Sequence, residues 1–194
     1  MPIEGEICLR CFKNTEGSHC NDCKRWSTYF ENKDPLTRNI ATFSYNSFLK
    51  DMITKWKYRG DVILGEAFKS PVRKTVHKYY RHILKEAYIV PIPLSEDRLK
   101  ERCFNQSLII ASFITDHKKR ILDVLERIDS EKQSKKSKYE RIYRKNPFKL
   151  RKNVNKTVIL VDDIYTTGTT LRHAASLLVE SGCPNVYSYT LIRG

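Results

Sequence analysis

Two groups of residues in this chain have types and spacings that can do chemistry. The first is Cys8, Cys11, Cys20 and Cys23, two C-x2-C pairs separated by eight residues. Such pairs supply four thiolates that can close a tetrahedral site on Zn2+, and with every position filled by protein the implied metal is structural. Disulfides are the competing reading, and His19 is a substitute ligand whose place directly before Cys20 fits the spacing less well. The stretch between the pairs, KNTEGSH, is short and turn-rich, so metal binding would supply much of the folding energy of this segment. The second group lies in residues 158–170, VILVDDIYTTGTT. Four consecutive apolar β-formers predict a parallel strand covered on both faces. Asp162 and Asp163 stand at its C-terminal end, where open α/β sheets receive ligands. Thr166, Thr167, Gly168, Thr169 and Thr170 then open a helix, whose first turn offers N–H groups and positive dipole charge to a phosphate. Carboxylates for sugar hydroxyls beside a phosphate cradle describe a ribose 5-phosphate site. The plain alternative is a core strand with a polar turn and a threonine-capped helix, and the thirteen-residue pattern outweighs it.

The elements that must hold these groups follow from periodicity. Residues 39–45 alternate as a strand, and Phe48, Leu49, Met52, Ile53 and Trp56 recur at helical spacing over 46–56. Helical stretches are expected over 62–68 and 76–84, interrupted near Pro71. Residues 87–94 read as a strand and SEDRLKERCFN (95–105) as the loop it feeds. Residues 106–117 read as a helix capped by Asn105, 121–128 as a strand, and 185–193 as the final strand. The helix after Gly168 carries Leu171, Ala174, Ala175, Leu178 and Val179 and closes at Gly182. Strands alternating with helices predict a parallel α/β sheet flanked by helices. Pro35 marks a junction, which divides the chain into a cysteine mini-domain over 1–34 and the α/β domain over 35–194. Cys103 and Cys183 stand alone and are expected as small buried apolar residues.

Charge and composition narrow the classes of function. The chain has 194 residues, and 36 Lys plus Arg against 22 Asp plus Glu give a net charge of +14. Such a balance favours phosphate-bearing partners: nucleic acid, nucleotides or an anionic membrane surface. Residues 132–152 alone hold ten basic side chains (Lys132, Lys135, Lys136, Lys138, Arg141, Arg144, Lys145, Lys149, Arg151 and Lys152) against Glu140. A solvated loop is the bland reading of that run. Tyr139, Tyr143 and Phe148 interleave with its charges, which is the pattern of a surface for single-stranded nucleic acid. No stretch approaches a membrane span and the first residues show no secretory signal, so a soluble cytoplasmic protein is expected, reaching the inner membrane face only through partners.

VILVDDIYTTGTT resembles the phosphoribosyl-pyrophosphate (PRPP) signature of type I phosphoribosyltransferases. The resemblance implies that Asp162 and Asp163 hold the ribose hydroxyls and that Thr166 to Thr170 wrap the 5′-phosphate. It implies that pyrophosphate is received by the loop after an early core strand, residues 94–105 here, with Arg98 and Arg102 as its bidentate donors. Mg2+ would enter with PRPP, bridged by the sugar hydroxyls and pyrophosphate with few protein ligands.

The resemblance narrows further. The Cys8–Cys23 knuckles, Lys57-Tyr58-Arg59-Gly60-Asp61, VPIPLSEDRLKERCFNQS and the Gln133…Arg141…Asn146…Phe148 pattern match the ComF family in the same order. The match spans nearly the whole chain. It departs at Cys103, where the family usually has glycine, and at Lys136, where leucine is usual. The family is implicated in DNA uptake during natural transformation. Membership implies a cytoplasmic PRPP-binding protein that handles single-stranded DNA, with other uptake proteins as partners. The alternative is an active phosphoribosyltransferase serving nucleotide metabolism. Lys135, Lys136, Lys138, Arg141, Arg144 and Lys145 would then form a mobile lid over the sugar, a contact for DNA, or both.

Overall fold

The computed structural model describes residues 3, 5–58, 62–128 and 146–194. Its centre is a four-stranded parallel sheet in the order β1 (Arg38–Ser44), β6 (Val186–Arg193), β5 (Val158–Tyr165), β2 (Tyr88–Pro91). Side chains alternate across each strand, so each apolar run feeds two cores. On one face Ile40, Ile89, Ile159, Val161, Tyr189 and Leu191 meet the helices α2 (Ser47–Tyr58), α4 (Lys69–Leu84) and α6 (Gln106–Ile114). On the other, Val90, Val158, Leu160 and Val186 meet α7 (Thr169–Glu180) through Leu171, Ala174, Ala175 and Leu178. The four paired cysteines join this second core beside Leu36, next to α1 (Asn21–Tyr29).

Local chemistry starts the elements where the sequence suggests. Asn46 Oδ1 accepts the N–H of Leu49 at 2.8 Å and caps α2, whose Leu49, Ile53 and Trp56 are buried while Phe48 is 69% exposed. Asn105 Oδ1 accepts the N–H of Ser107 at 2.9 Å and caps α6. Pro71 does not interrupt a helix. It sits in the first turn of α4, where its missing N–H is no loss, after a short α3 (Val62–Glu66).

Three further expectations are corrected. Residues 95–105 are not a loop throughout: Glu96–Arg102 form helix α5, with Ser95 as N-cap, Glu96 and Asp97 in the first turn and Lys100 and Arg102 in the last. Within 121–128 only β3 (Leu125–Arg127) is a strand, paired antiparallel with β4 (Phe148–Leu150), which periodicity did not reveal. Cys183 is buried, but Cys103 is exposed and takes φ 62° as the cap of α5, a left-handed backbone for which glycine is the easy residue.

Tyr80 shows what holds the sheet against α4. It is 1% exposed, and its hydroxyl is shared between the carbonyls of Arg38 and Ser188 at 3.0 Å each, on neighbouring strands. Tyr80→Phe should keep the packing and lose these bonds, costing about 1–2 kcal/mol and lowering the Tm by roughly 3–6 °C. Thermal unfolding of the two proteins side by side checks this, and an unchanged midpoint would contradict it.

Candidate functional site

The site forms where β2 leaves β5. Their pairing ends at Pro91 and Val161, with the Ile92 N–H donating to the Val161 carbonyl at 2.9 Å as the last rung. Pro93 has no N–H to extend it, and the chain turns into α5. β5 continues to Tyr165, paired only with β6, so the carboxylates lie four residues or fewer from its end and border a gap. That gap is a cavity of about 610 Å³ lined by Asp162, Asp163, Thr166 and Thr170 on the strand-to-helix side and by Arg98 and Arg102 from α5. Six predicted residues from segments far apart in sequence thus meet in one volume.

Asp162 and Asp163 are held differently. Asp162 Oδ1 accepts from Ser107 Oγ at 3.2 Å and from the Asp163 N–H at 2.9 Å. Burial, then the neighbouring Asp163 carboxylate, push its pKa up to about 7. Asp163 is ion-paired through Oδ2 with Lys57 Nζ, and both side chains are about one-seventh exposed at 14% and 15%. Lys57 belongs to the K-Y-R-G-D segment, whose Arg59, Gly60 and Asp61 lie outside the described residues.

The threonine turn divides its labour. Thr166 and Thr170 line the cavity, whereas Thr167 and Thr169 do not; their hydroxyls bond each other at 2.9 Å. Gly168 caps α7 with φ 78°, and a Cβ there would collide with the Tyr165 hydroxyl and the Arg172 guanidinium. The N-terminal turn of α7 therefore faces the same end of the sheet as the carboxylates.

Sequence reasoning missed several residues of this wall. Gln106, 1% exposed, lines the cavity, its Oε1 accepts from Arg102 Nη1 at 3.3 Å, and its Nε2 meets no acceptor among the described residues. Asn105 as helix cap was the available signal, since it places Gln106 and Ser107 in the first turn at the site end. Tyr45, Arg127 and Gly194 also reach the cavity. Lys135, Lys136, Lys138, Arg141, Arg144 and Lys145 lie outside the described residues.

The cysteine group is a second, separate centre. Cys8, Cys11, Cys20 and Cys23 are all buried, and their sulfurs lie within 4.8 Å of one another. Four sulfurs bound to one cation at roughly 2.3 Å stand about 3.8 Å apart, so this cluster can hold a structural metal ion. The thiols are unbonded as disulfides. His19 is not in the cluster; its Nδ1 sits 3.0 Å from Ser18 Oγ. Hydrogen bonds from Cys11 and Cys23 push the Cys8 thiol down, while bonds to Cys11 and Cys8 push Cys23 up.

A sheet of this kind, with paired aspartates on a strand that feeds a Thr-Thr-Gly-Thr-Thr turn, is that of the phosphoribosyl transferase domain, and that family matches residues 107–194. The chain is 38% identical to the competence protein ComFC of Bacillus subtilis over 98% of its length, covering 79% of that protein. It is 34% identical to the competence protein ComFC of Streptococcus pneumoniae, again over 98% of its length and covering 82% of that protein. The chain belongs to the ComFC family. Among the described residues no helix is long and apolar enough to cross a membrane.

The raised pKa of Asp162 has a measurable consequence. Between its ordinary value, about 4, and 7 the unfolded chain has released this proton while the folded chain keeps it. Stability from this group is full below about pH 4 and falls as pH rises through the window, by up to roughly 1.4 kcal/mol per pH unit. Asp162→Asn lacks that loss, so urea unfolding should show the variant gaining on the wild type from pH 5 to 7.5. A constant difference between the two would refute the assignment.

Proposed function

We propose that this protein is a cytoplasmic competence factor that binds PRPP with Mg2+ in the β5–β2 cavity and handles single-stranded DNA during uptake. The observation that carries the sugar-phosphate reading is the meeting of Asp162 and Asp163, Thr166 and Thr170, and Arg98 and Arg102 in one cavity. Carboxylates accept hydrogen bonds from two sugar hydroxyls, the turn and the N-terminus of α7 receive the 5′-phosphate, and the arginines receive pyrophosphate. Thr167 and Thr169 brace the turn and Gly168 lets it pass close. Mg2+ arrives on the diphosphate, since the cavity offers no further carboxylate among the described residues. Lys57 neutralises Asp163 until sugar hydroxyls compete for that carboxylate. Zn2+ is the metal proposed for Cys8, Cys11, Cys20 and Cys23, because four buried thiolates leave no open position for catalysis. The competence role rests on the names of the two relatives and their similarity along the whole chain.

Calorimetric titration of Mg2+ and PRPP into the zinc-loaded protein should show binding. Each hydrogen bond to a charged acceptor contributes about 1.5–3 kcal/mol, so changing Asp162 and Asp163 together to Asn should weaken binding at least ~100-fold. Equal affinity in the double variant, or no binding by the folded wild type, would sink the reading.

The DNA reading rests on the +14 net charge and its concentration in residues 132–152. Fluorescence anisotropy of a labelled single-stranded oligonucleotide should show affinity falling steeply with salt. Neutralising Lys135, Lys136, Lys138, Arg141, Arg144 and Lys145 to Gln should flatten that slope, and an unchanged slope would place DNA elsewhere. Transfer of ribose 5-phosphate to a nucleobase or amine is the second reading, favoured by the phosphoribosyl transferase match over 107–194. Pyrophosphate release with any such acceptor would establish it.

A further inference from the structure

We propose that the cysteine module and the Thr166–Thr170 turn are one coupled unit, in which a metal on the four thiolates holds the turn in its phosphate-receiving shape through Arg193 and Trp26. The inference rests on the sugar-phosphate reading for what the turn binds, but not for the coupling itself.

Arg193 is the last residue of β6 and is 4% exposed. Its Nε donates to the Cys11 carbonyl at 3.1 Å and its Nη2 to Cys11 Sγ at 3.3 Å. Its Nη1 donates to the carbonyls of Tyr165 at 3.2 Å and Thr166 at 3.1 Å. One planar guanidinium thus spans a cysteine knuckle and the entry to the turn. Trp26 on α1, also 4% exposed, donates its indole N–H to the next carbonyl, that of Thr167, at 2.8 Å. Three consecutive carbonyls, 165 to 167, are therefore held by side chains bound to or borne by the cysteine module. In a trans peptide each carbonyl opposes the following N–H. Pinning these three aims the N–H groups of 166 to 168 to the other side of the turn.

Arg172 closes the clamp. At 2% exposure it is bonded to Asp34 through Nη2 at 2.8 Å and to the Tyr165 hydroxyl through Nη1 at 2.8 Å, and its guanidinium lies 4.5 Å over the Trp26 ring. Gly168, whose missing side chain leaves room for the Tyr165 hydroxyl and the Arg172 guanidinium, lets this packing close.

Four thiolates on a divalent cation leave a net charge of −2, and Arg193 Nη2 touches one of those sulfurs. Losing the metal frees the Cys8–Cys23 segment from its closure. Arg193 then loses the fixed Cys11 carbonyl and sulfur together. Linkage makes the effect reciprocal: whatever the turn binds must tighten the hold on the metal.

Hydrogen exchange of the full chain tests the coupling without any ligand. Removing zinc should speed exchange of the Thr169 and Arg172 amides, which close the turn on Thr167 Oγ1 and the Gly168 carbonyl, about tenfold, while α4 stays as protected as before. Because stripped protein can lose its N-terminal segment altogether, two zinc-loaded variants accompany it. Trp26→Phe keeps the ring and loses the donor; Arg193→Lys keeps the charge and loses the bridge. Each should speed exchange of the Thr169 and Arg172 amides about fivefold with zinc content unchanged. Exchange there that matches the zinc-loaded wild type in the stripped protein or in both variants overturns the coupling. Titration of PRPP with Mg2+ into the same samples should show binding weakened about fivefold in the variants. Coupled exchange in a zinc-loaded protein that binds no PRPP refutes the sugar-phosphate reading and leaves the coupling standing.

Discussion

Everything at the functional end of this molecule depends on strand β5 outlasting strand β2. An interior strand of a sheet is paired on both sides, yet from Asp162 onward β5 has only β6. Pro93 removes the next donor on the β2 side, and the chain uses the break to start α5. The unpaired edge therefore faces a cavity instead of a neighbour. Polar side chains collect there because backbone and carboxylate groups at such an edge require other donors: Ser107, Lys57 and the Asp163 amide supply them.

The electrostatics of the cavity run against those of the molecule. A chain of net charge +14 gathers two adjacent carboxylates in one cavity. The pair survives by unequal treatment. Asp163 is ion-paired with Lys57, while Asp162, half-buried beside it, has its pKa pushed up to about 7. Neither could be exchanged for the other without moving the cation. Arg98, exposed on α5, and Arg102, buried beside Gln106, supply the opposite sign across the cavity. A ligand with hydroxyls at one end and anionic oxygens at the other matches that polarity. A simple anion or a neutral sugar satisfies half of it.

How much of this was legible in the sequence follows the range of the interactions. The β5 run, the aspartates and the threonine turn were readable because strand, turn and helix signals lie within thirteen residues. The C-x2-C pairs were readable for the same reason. Helix α5 was not, since seven mostly charged residues carry no apolar period, and only Ser95 with Glu96 and Asp97 marked its start. Strand β4 escaped because three residues are too few for alternation to show, and β3 was read over 121–128 where only Leu125–Arg127 pair. Lys57, Gln106, Trp26 and Arg193 are ordinary residues in sequence. Their roles come from contacts up to 182 positions apart, which no local pattern encodes.

Burying arginine is unfavourable unless its charge is answered, and the turn is backed by two buried arginines, Arg172 and Arg193, at 2% and 4% exposure. Arg172 is answered directly by Asp34, whose side chain is itself fully buried. Arg193 is answered less closely: Asp22 pairs with it at 3.9 Å, and its nearer partners are carbonyls and the Cys11 sulfur. Neutral carbonyls solvate a guanidinium but do not balance it. A thiolate cluster carrying −2 does, at the one point where Arg193 meets sulfur. A filled four-cysteine site thus adds to the charge that Asp22 supplies at a distance, and the guanidinium it balances is the one that grips the start of the turn.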